Sequence, residues 1–279
     1  MNNEIRSRVA HHLVGDNRYF GNSINDLVGH ETYSGMIALA LTGRRATEEQ
    51  RQTLDDVAVI LTSADPRIWP LKLTRLISSY GSTMAGFTAS QLALEGNQIG
   101  PWVIGYSAAM LVTLDESVGD TQGDPLVLEE RIRDFVARTP RFFGYGVPLR
   151  KSDERLDRLE TRMRERGRDH LHYWQLHLAL AREIMRVKGL PPNVGAGLAA
   201  VFLDHGYSPR EASTLPMFLH QNVFAANANE AATQAEAGMR TLPAEAIDYV
   251  GQPARISPRA LAVENAMRKD AENSIVATS

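Results

Sequence analysis

Hydrophobic residues recur at intervals of three and four along most of this chain, which is the spacing of helices that bury one face. The stretch after Thr47 is typical, because Leu54, Val57, Ile60 and Leu61 fall on one side of a helix. No long alternation of apolar and polar residues predicts a sheet. The pattern therefore predicts an all-α fold.

Polar residues also mark where several helices begin and end. Thr47 with Gln50, and Ser208 with Glu211, have the spacing of capping boxes, in which two side chains satisfy backbone N–H groups at a helix start. Charged and apolar residues over 155–189 predict two helices that break near Gly167.

Loops rich in Gly, Pro and aromatic residues, at 122–125 and 139–148, flank a predicted small insert domain. The expected organisation is a large helical domain over 1–124, a small domain over 125–205, and a C-terminal part of the large domain over 206–279.

Composition narrows the class of protein. The 279 residues are 43% hydrophobic and 23% charged, as in ordinary globular proteins, and the formal net charge of -3 argues against a nucleic-acid partner. There are no cysteines, which excludes disulfides, thiolate metal sites and a cysteine nucleophile. No apolar run approaches the roughly 18 residues of a membrane span, and no secretory signal begins the sequence. We expect a cytoplasmic protein with no membrane partner.

Four segments, in order, resemble the citrate synthase superfamily, and especially the short citryl-CoA lyase-like and ATP-citrate-lyase C-terminal proteins. The most specific is GYGVPLRKSDER at residues 144–155, which resembles the family's G-[FY]-G-H loop ending in D-P-R with one residue fewer. The others are GMIALALTGRRATEEQ at 35–50, PNVGAGLAA at 192–200, and the stretch from Arg240 to Pro253. The resemblance implies a large helical domain with a small helical insert.

The resemblance also implies ligand-binding roles. The family loop wraps a coenzyme A thioester, which assigns CoA binding to Tyr145, Gly146, Arg150 and Lys151. Its closing arginine grips a substrate carboxylate, and Arg155 takes that place. In the family the last segment contributes an arginine across a dimer interface, which corresponds to Arg240. A homodimer is therefore expected, with CoA thioester as substrate and with no prosthetic group or metal.

The catalytic positions of the family depart from its pattern. Proton abstraction beside a thioester needs a carboxylate base and donors for the developing oxyanion, which the family supplies with one aspartate and two histidines. Here the matching positions hold Gly195, Val147, and either Ile99 or Val103. Ordinary citrate chemistry is therefore not expected, unless the register of the match is mistaken.

Two functions stay open. One is a repurposed enzyme for another acyl-CoA or small carboxylic acid, whose candidate catalytic residues are His220, Asn193 and Gln98, with Asn97, Tyr145 and Asp153 as further candidates. A core role for His220, and a loop-bracing pair of Asp153 with Arg155, are the simpler interpretations. The other function is a non-catalytic scaffold, or a partner subunit of an active paralogue.

Overall fold

The computed structural model describes residues 6–94, 100–119, 125–147, 150–234, 243–248, 250–252 and 257–276. Over these residues the secondary structure is almost entirely helical. The helices are α1 (Ile24–Leu27), α2 (Tyr33–Thr42), α3 (Glu48–Ile60), α4 (Trp69–Ser78), α5 (Thr83–Ala93), α6 (Trp102–Val118), α7 (Pro125–Arg138), α8 (Glu154–Glu165), α9 (His172–Lys188), α10 (Val194–Asp204), α11 (Pro209–Leu219), α12 (Gln221–Gln234) and α13 (Pro258–Val276). The prediction of an all-α fold is confirmed.

A three-stranded antiparallel sheet near the start is the exception to this helical pattern. Its strands are β1 (Ala10–His11), β2 (Arg18–Tyr19) and β3 (Asn22–Ser23), in that spatial order. Ala10 pairs with Tyr19, and Tyr19 pairs with Asn22 on its other side. Because each strand has only two residues, the periodicity of the sequence gives no sign of it.

The core is built around α10, whose residues from Val194 to Leu203 are all buried. Small residues such as Gly197 let α8 and α9 approach closely, since a Cβ there would lie 2.5 Å from Leu156 Cδ1. Helices α6, α8, α9 and α11 pack against α10, and α6 also packs on α11. A second apolar cluster forms where α4, α5 and α12 meet, with Leu71 and Phe224 at its centre.

The predicted helix boundaries are confirmed where the chain carries clear polar signals. Thr47 and Ser208 both close capping boxes, with Gln50 and Glu211 respectively. The break near Gly167 separates α8 from α9, and α9 ends at Gly189 in a left-handed conformation.

The chain divides into two compact units, residues 1–238 and 239–279. The second unit contains a short 3-10 turn, Ala244–Ala246, and helix α13, on which Leu261, Val263 and Met267 are exposed. The domain boundaries at 124 and 205 stay a prediction.

Candidate functional site

The loop that carries the most specific motif lies directly against the start of α10. The Gly146 N–H donates to the Pro191 carbonyl over 2.7 Å, and the Asn193 N–H donates to the Gly144 carbonyl over 2.9 Å. The Asn193 side-chain amide then donates to the Gly146 carbonyl over 3.0 Å. Three hydrogen bonds therefore fix the loop backbone on the residues that precede α10.

Gly144 makes this close approach possible. Its φ of +82° lies in the left-handed region, and a Cβ on it would lie 2.7 Å from the Ala196 nitrogen. Only glycine combines that conformation with that proximity at no steric cost. The first glycine of the motif is therefore required by packing against α10.

Asp153 is a buried carboxylate that joins two helix starts. It caps α8 by accepting from the Arg155 N–H, and its Oδ2 accepts from the Val194 N–H of α10 over 2.9 Å. The Arg155 guanidinium donates to both carboxylate oxygens, over 2.9 Å each from Nε and Nη2. This is the loop brace that the sequence suggested for the pair.

Burial by itself would raise the pKa of the Asp153 carboxyl. The hydrogen bonds and the charge of Arg155, together with the N–H groups of Val194 and Arg155, outweigh burial and hold the pKa below its ordinary value. Asp153 is therefore ionised at neutral pH, and Arg155 faces it with Nε and Nη2. The Arg155 side chain is 33% exposed, which leaves the guanidinium within reach of a ligand.

Arg150 has acidic partners that the sequence did not reveal. Its Nη2 lies 3.3 Å from Asp65 Oδ2, and its Nη1 lies 3.5 Å from Glu154 Oε1. The pKa of Asp65 lies far below its ordinary value, mainly because Arg67 donates hydrogen bonds to its carboxylate. Arg150 makes a smaller contribution. The expected basic loop is therefore largely balanced by neighbouring carboxylates.

Lys151 differs from the two arginines around it. Its side chain is exposed, and it forms no ion pair in the described part of the chain. Lys151 is thus the loop cation most available to an anion in solution.

Gly195 and Val103, two of the positions that the sequence resemblance assigns to catalytic groups, lie together and carry no polar side chain. A Cβ on Gly195 would lie 3.7 Å from Val103 Cγ1, 3.8 Å from Gly144 Cα and 3.0 Å from Asn193 Oδ1. Val147 follows Gly146 in the same pinned loop. Of the two alternatives for the third position, Val103 lies beside Gly195. Ile99 lies outside the described residues.

Aromatic rings border this apolar spot. Phe143 stacks on Tyr106 at 4.8 Å between centroids, and Trp102 meets both rings edge-on at 5.8 and 5.2 Å. The Arg141 guanidinium lies 4.8 Å from the centroid of Phe143. We call Trp102, Tyr106, Phe143 and Arg141 the aromatic cluster. Sequence analysis missed it because its members come from two distant segments.

Two of the candidate catalytic residues, Asn193 and Tyr145, contribute to the structure of the site. Asn193 accepts from the Gly195 N–H as the cap of α10 and donates to Gly146, so both ends of its amide are engaged. The Tyr145 ring packs against the core, and burial raises the pKa of its hydroxyl. That hydroxyl makes no hydrogen bond with the described residues.

His220 lies at the end of α11, where it is buried. Its Nδ1 donates to the Pro216 carbonyl, and its ring meets Phe224 edge-on at 5.0 Å. Burial lowers the pKa of the imidazole, so His220 is neutral at neutral pH. These contacts are with α11 and α12, whereas the other observed candidates lie around loop 144–155.

Two predicted site residues, Gln98 and Arg240, lie outside the described residues, as does Asn97. Within the described ranges no group of three or more His, Asp or Glu residues could hold a metal ion. The described helices also include none that is long and apolar enough to cross a membrane.

Comparison of the structure with solved structures gives clear matches, although no protein-family model and no curated protein matches the sequence. Citryl-CoA lyase from Hydrogenobacter thermophilus superposes with a TM-score of 0.74 and 22% identity, over 92% of this chain and 99% of that one. ATP citrate lyase from Methanothrix soehngenii, in complex with citrate and coenzyme A, superposes with a TM-score of 0.70 and 16% identity. That match covers 90% of this chain and 42% of the larger enzyme.

Citrate synthase from Thermoplasma acidophilum, in a ternary complex with carboxymethyl coenzyme A and oxaloacetate, matches less closely. Its TM-score is 0.51 at 19% identity, over 81% of this chain and 58% of that one. At these identities the likeness establishes the fold. The chain therefore has the fold of the citrate synthase superfamily, in the form seen in citryl-CoA lyase.

Proposed function

We propose that this protein binds an acyl-CoA or a small carboxylic acid at loop 144–155 and acts on it by chemistry other than ordinary citrate synthesis or cleavage. One observation carries the proposal. Arg155 is held by two hydrogen bonds from its guanidinium to the buried Asp153, on a loop that is itself pinned to α10. A cation fixed in this way loses little side-chain entropy when it receives a carboxylate or a phosphate.

The ligands of the structural neighbours support this choice of ligand class. The ATP citrate lyase structure contains citrate and coenzyme A, and the citrate synthase structure contains carboxymethyl coenzyme A with oxaloacetate. A common fold does not carry a common activity, so the argument for this chain rests on its own cations. Arg155 offers its remaining N–H groups, and Lys151 offers an exposed ammonium group.

The apolar character of the neighbouring positions argues for altered chemistry. Val103, Val147 and Gly195 can neither accept a proton from carbon nor donate one to an enolate oxygen. Loss of groups that act as a unit removes several orders of magnitude in rate. Binding without citrate turnover is the expected behaviour.

Two measurements on the same preparation test the proposal. Equilibrium dialysis with acetyl-CoA should show binding, while assays for citrate formation from acetyl-CoA and oxaloacetate, and for citryl-CoA cleavage, should show no turnover in the ordinary enzyme range of about 1–1000 per second. Turnover in that range would show that the catalytic positions are misassigned. Absence of binding by CoA thioesters and by small carboxylic acids alike would contradict the proposed function.

A non-catalytic scaffold is the second candidate, and the internal hydrogen bonding of the loop favours it. Both ends of the Asn193 amide are engaged, and Arg150 is paired with Asp65 and Glu154. A loop whose polar groups already have partners can serve structure alone. A crystal structure determined after soaking with CoA and a dicarboxylate separates the enzyme from the scaffold. Ligand bound at loop 144–155 supports an enzyme, and a site blocked by the protein's own side chains supports a scaffold.

We also propose a homodimer, because the family completes its cleft across a two-fold axis. A cytoplasmic location stays a prediction. Sedimentation equilibrium should give twice the monomer mass at micromolar concentration, and a stable monomer there would contradict the dimer.

A further inference from the structure

The aromatic cluster adjoins the apolar spot beside Gly195 along the chain. Val103 follows Trp102 on α6, and Tyr106 lies one turn further along the same helix. Phe143 directly precedes Gly144, whose backbone touches the start of α10. The ring contacts of Phe143 with Trp102 and Tyr106 therefore tie the loop to α6 at the edge of the spot.

The chemistry of this surface differs from what a citrate site requires. Citrate carries three carboxylates, which need cationic or N–H partners, whereas Val103 and the exposed Tyr106 ring present apolar atoms and a π face, with Arg141 as the one cation in contact with the described rings of the cluster. Among the described residues, Arg155 is the cation of the loop whose guanidinium is oriented by a buried carboxylate. The arrangement matches a ligand with one anionic region and an apolar body.

Exposure shows that the surface is accessible. The Tyr106 side chain stacks against Phe143, yet Tyr106 is 53% exposed. Trp102 and Phe143 are half-buried, as are Val103 and Val147. Aromatic side chains with an exposed face can take up apolar ligand surface at a low cost in conformational entropy.

We propose that the site selects CoA thioesters of apolar acyl groups, of about four carbons or more, with the acyl chain lying along Val103 and the exposed ring of Tyr106. This inference rests on the proposed function, because it requires that the loop bind a CoA thioester. It names the substrate class, and it accounts for the replacement of polar catalytic groups by valine and glycine.

The test compares the affinities of acetyl-CoA and hexanoyl-CoA, measured by titration calorimetry. Each buried methylene is worth roughly a fourfold gain in affinity. Hexanoyl-CoA has four more methylenes than acetyl-CoA, and partial burial should make it bind at least about tenfold more tightly.

Two variants locate the acyl chain. Tyr106→Ala and Val103→Thr should each reduce the ratio of the two affinities, to below about threefold for Tyr106→Ala, because apolar contact is lost while the CoA moiety is unchanged. Tyr80→Ala is the matched control, since Tyr80 is also 53% exposed and follows α4. Val103→Thr keeps the side-chain shape, so the test remains decisive if Tyr106→Ala misfolds.

The outcomes separate this inference from the proposed function. A ratio of at least about tenfold, lowered by either site variant and kept by Tyr80→Ala, supports it. Equal binding of the two thioesters, or a ratio that neither site variant changes, overturns the inference and leaves the proposed function in place. If neither thioester binds, the inference is overturned, and the proposed function is overturned with it only if a dicarboxylate also fails to bind.

Discussion

At the scale of single residues, Asp153 links the parts of the site. It caps α8, accepts from the first N–H of α10, and orients Arg155. A buried carboxylate is costly unless every oxygen has a partner, and here the three roles supply those partners. The orientation of Arg155 therefore depends on a residue that does not itself face solvent.

Removal of the Asp153 carboxylate should destabilise the folded protein. Asp153→Ala should lower the free energy of unfolding by about 2–4 kcal/mol, because it deletes charge-assisted hydrogen bonds and leaves the Val194 N–H without its acceptor. Urea denaturation measures the change. Asp157→Ala, on the exposed face of the same helix, is the control and should stay within about 0.5 kcal/mol of the parent. An equal effect of both substitutions would contradict the role given to Asp153.

At the scale of elements, the crossing of α6 and α11 depends on Gly105. A Cβ on Gly105 would lie 2.7 Å from Ser213 Cβ and 2.8 Å from the Pro209 carbonyl oxygen. The second of these is a backbone atom, which cannot move away without shifting the start of α11. The two helices therefore touch through their backbones.

Gly105→Ala should destabilise the protein by about 1–3 kcal/mol, the usual cost of overpacking a core contact, despite the better helix propensity of alanine. Ala109→Ser changes the exposed side of the same helix and should cost no more than about 0.5 kcal/mol. Thermal unfolding of both variants makes the comparison. A stabilised Gly105→Ala protein would show that the helices can separate freely.

Sequence predicted the elements better than it predicted the contacts between them. The capping boxes at Thr47 and Ser208 and the break near Gly167 are confirmed, because helix ends are encoded by local hydrogen-bonding groups. The β1–β3 sheet was missed, since strands of two residues have no periodicity to detect.

The site was predictable where residues are close in the chain. The pair of Asp153 with Arg155 was foreseen from its spacing, whereas the pair of Arg150 with Asp65 joins residues far apart in sequence and could not be. The same reason hid the aromatic cluster, which forms only when loop 141–147 meets α6. The family resemblance indicated which residues belong to the candidate site, and only the folded structure shows which of them lie close together.

At the scale of the whole molecule, the buried His177 and the half-buried His205 couple stability to pH, in addition to the buried His220. Burial lowers the pKa of His177 to about 4, and burial together with the charge of Arg168 lowers that of His205 to about 4. The ordinary pKa of a histidine is 6.5. Between pH 6.5 and pH 4 the unfolded chain therefore binds protons at these two histidines that the folded chain does not bind. Stability is therefore full above pH 6.5 and declines as the pH falls through this window.

Each histidine should contribute a slope of about 1.4 kcal/mol per pH unit to the free energy of unfolding. His177→Leu should remove its share, so the variant loses less stability than the parent between pH 6.5 and pH 4. Identical slopes for parent and His177→Leu would mean that His177 is protonated in the folded state.

We propose that Arg155, held by Asp153, binds an anionic ligand although this chain has Val or Gly at the positions that the resemblance assigns to catalytic groups. Titration calorimetry of acetyl-CoA and a dicarboxylate into the parent, Arg155→Ala and Arg158→Ala proteins tests it most directly. Arg158 is exposed one turn along α8 and serves as the matched control. Arg155→Lys keeps the charge without the planar fork, and circular dichroism verifies that each variant is folded.

We expect Arg155→Ala to lose roughly 1.5–3 kcal/mol of binding free energy for one of the two ligands, the worth of a hydrogen bond to a charged group. Arg158→Ala should bind like the parent, and Arg155→Lys should fall between the two. Equal affinities of the parent and folded Arg155→Ala, or no binding by the parent, would contradict the claim.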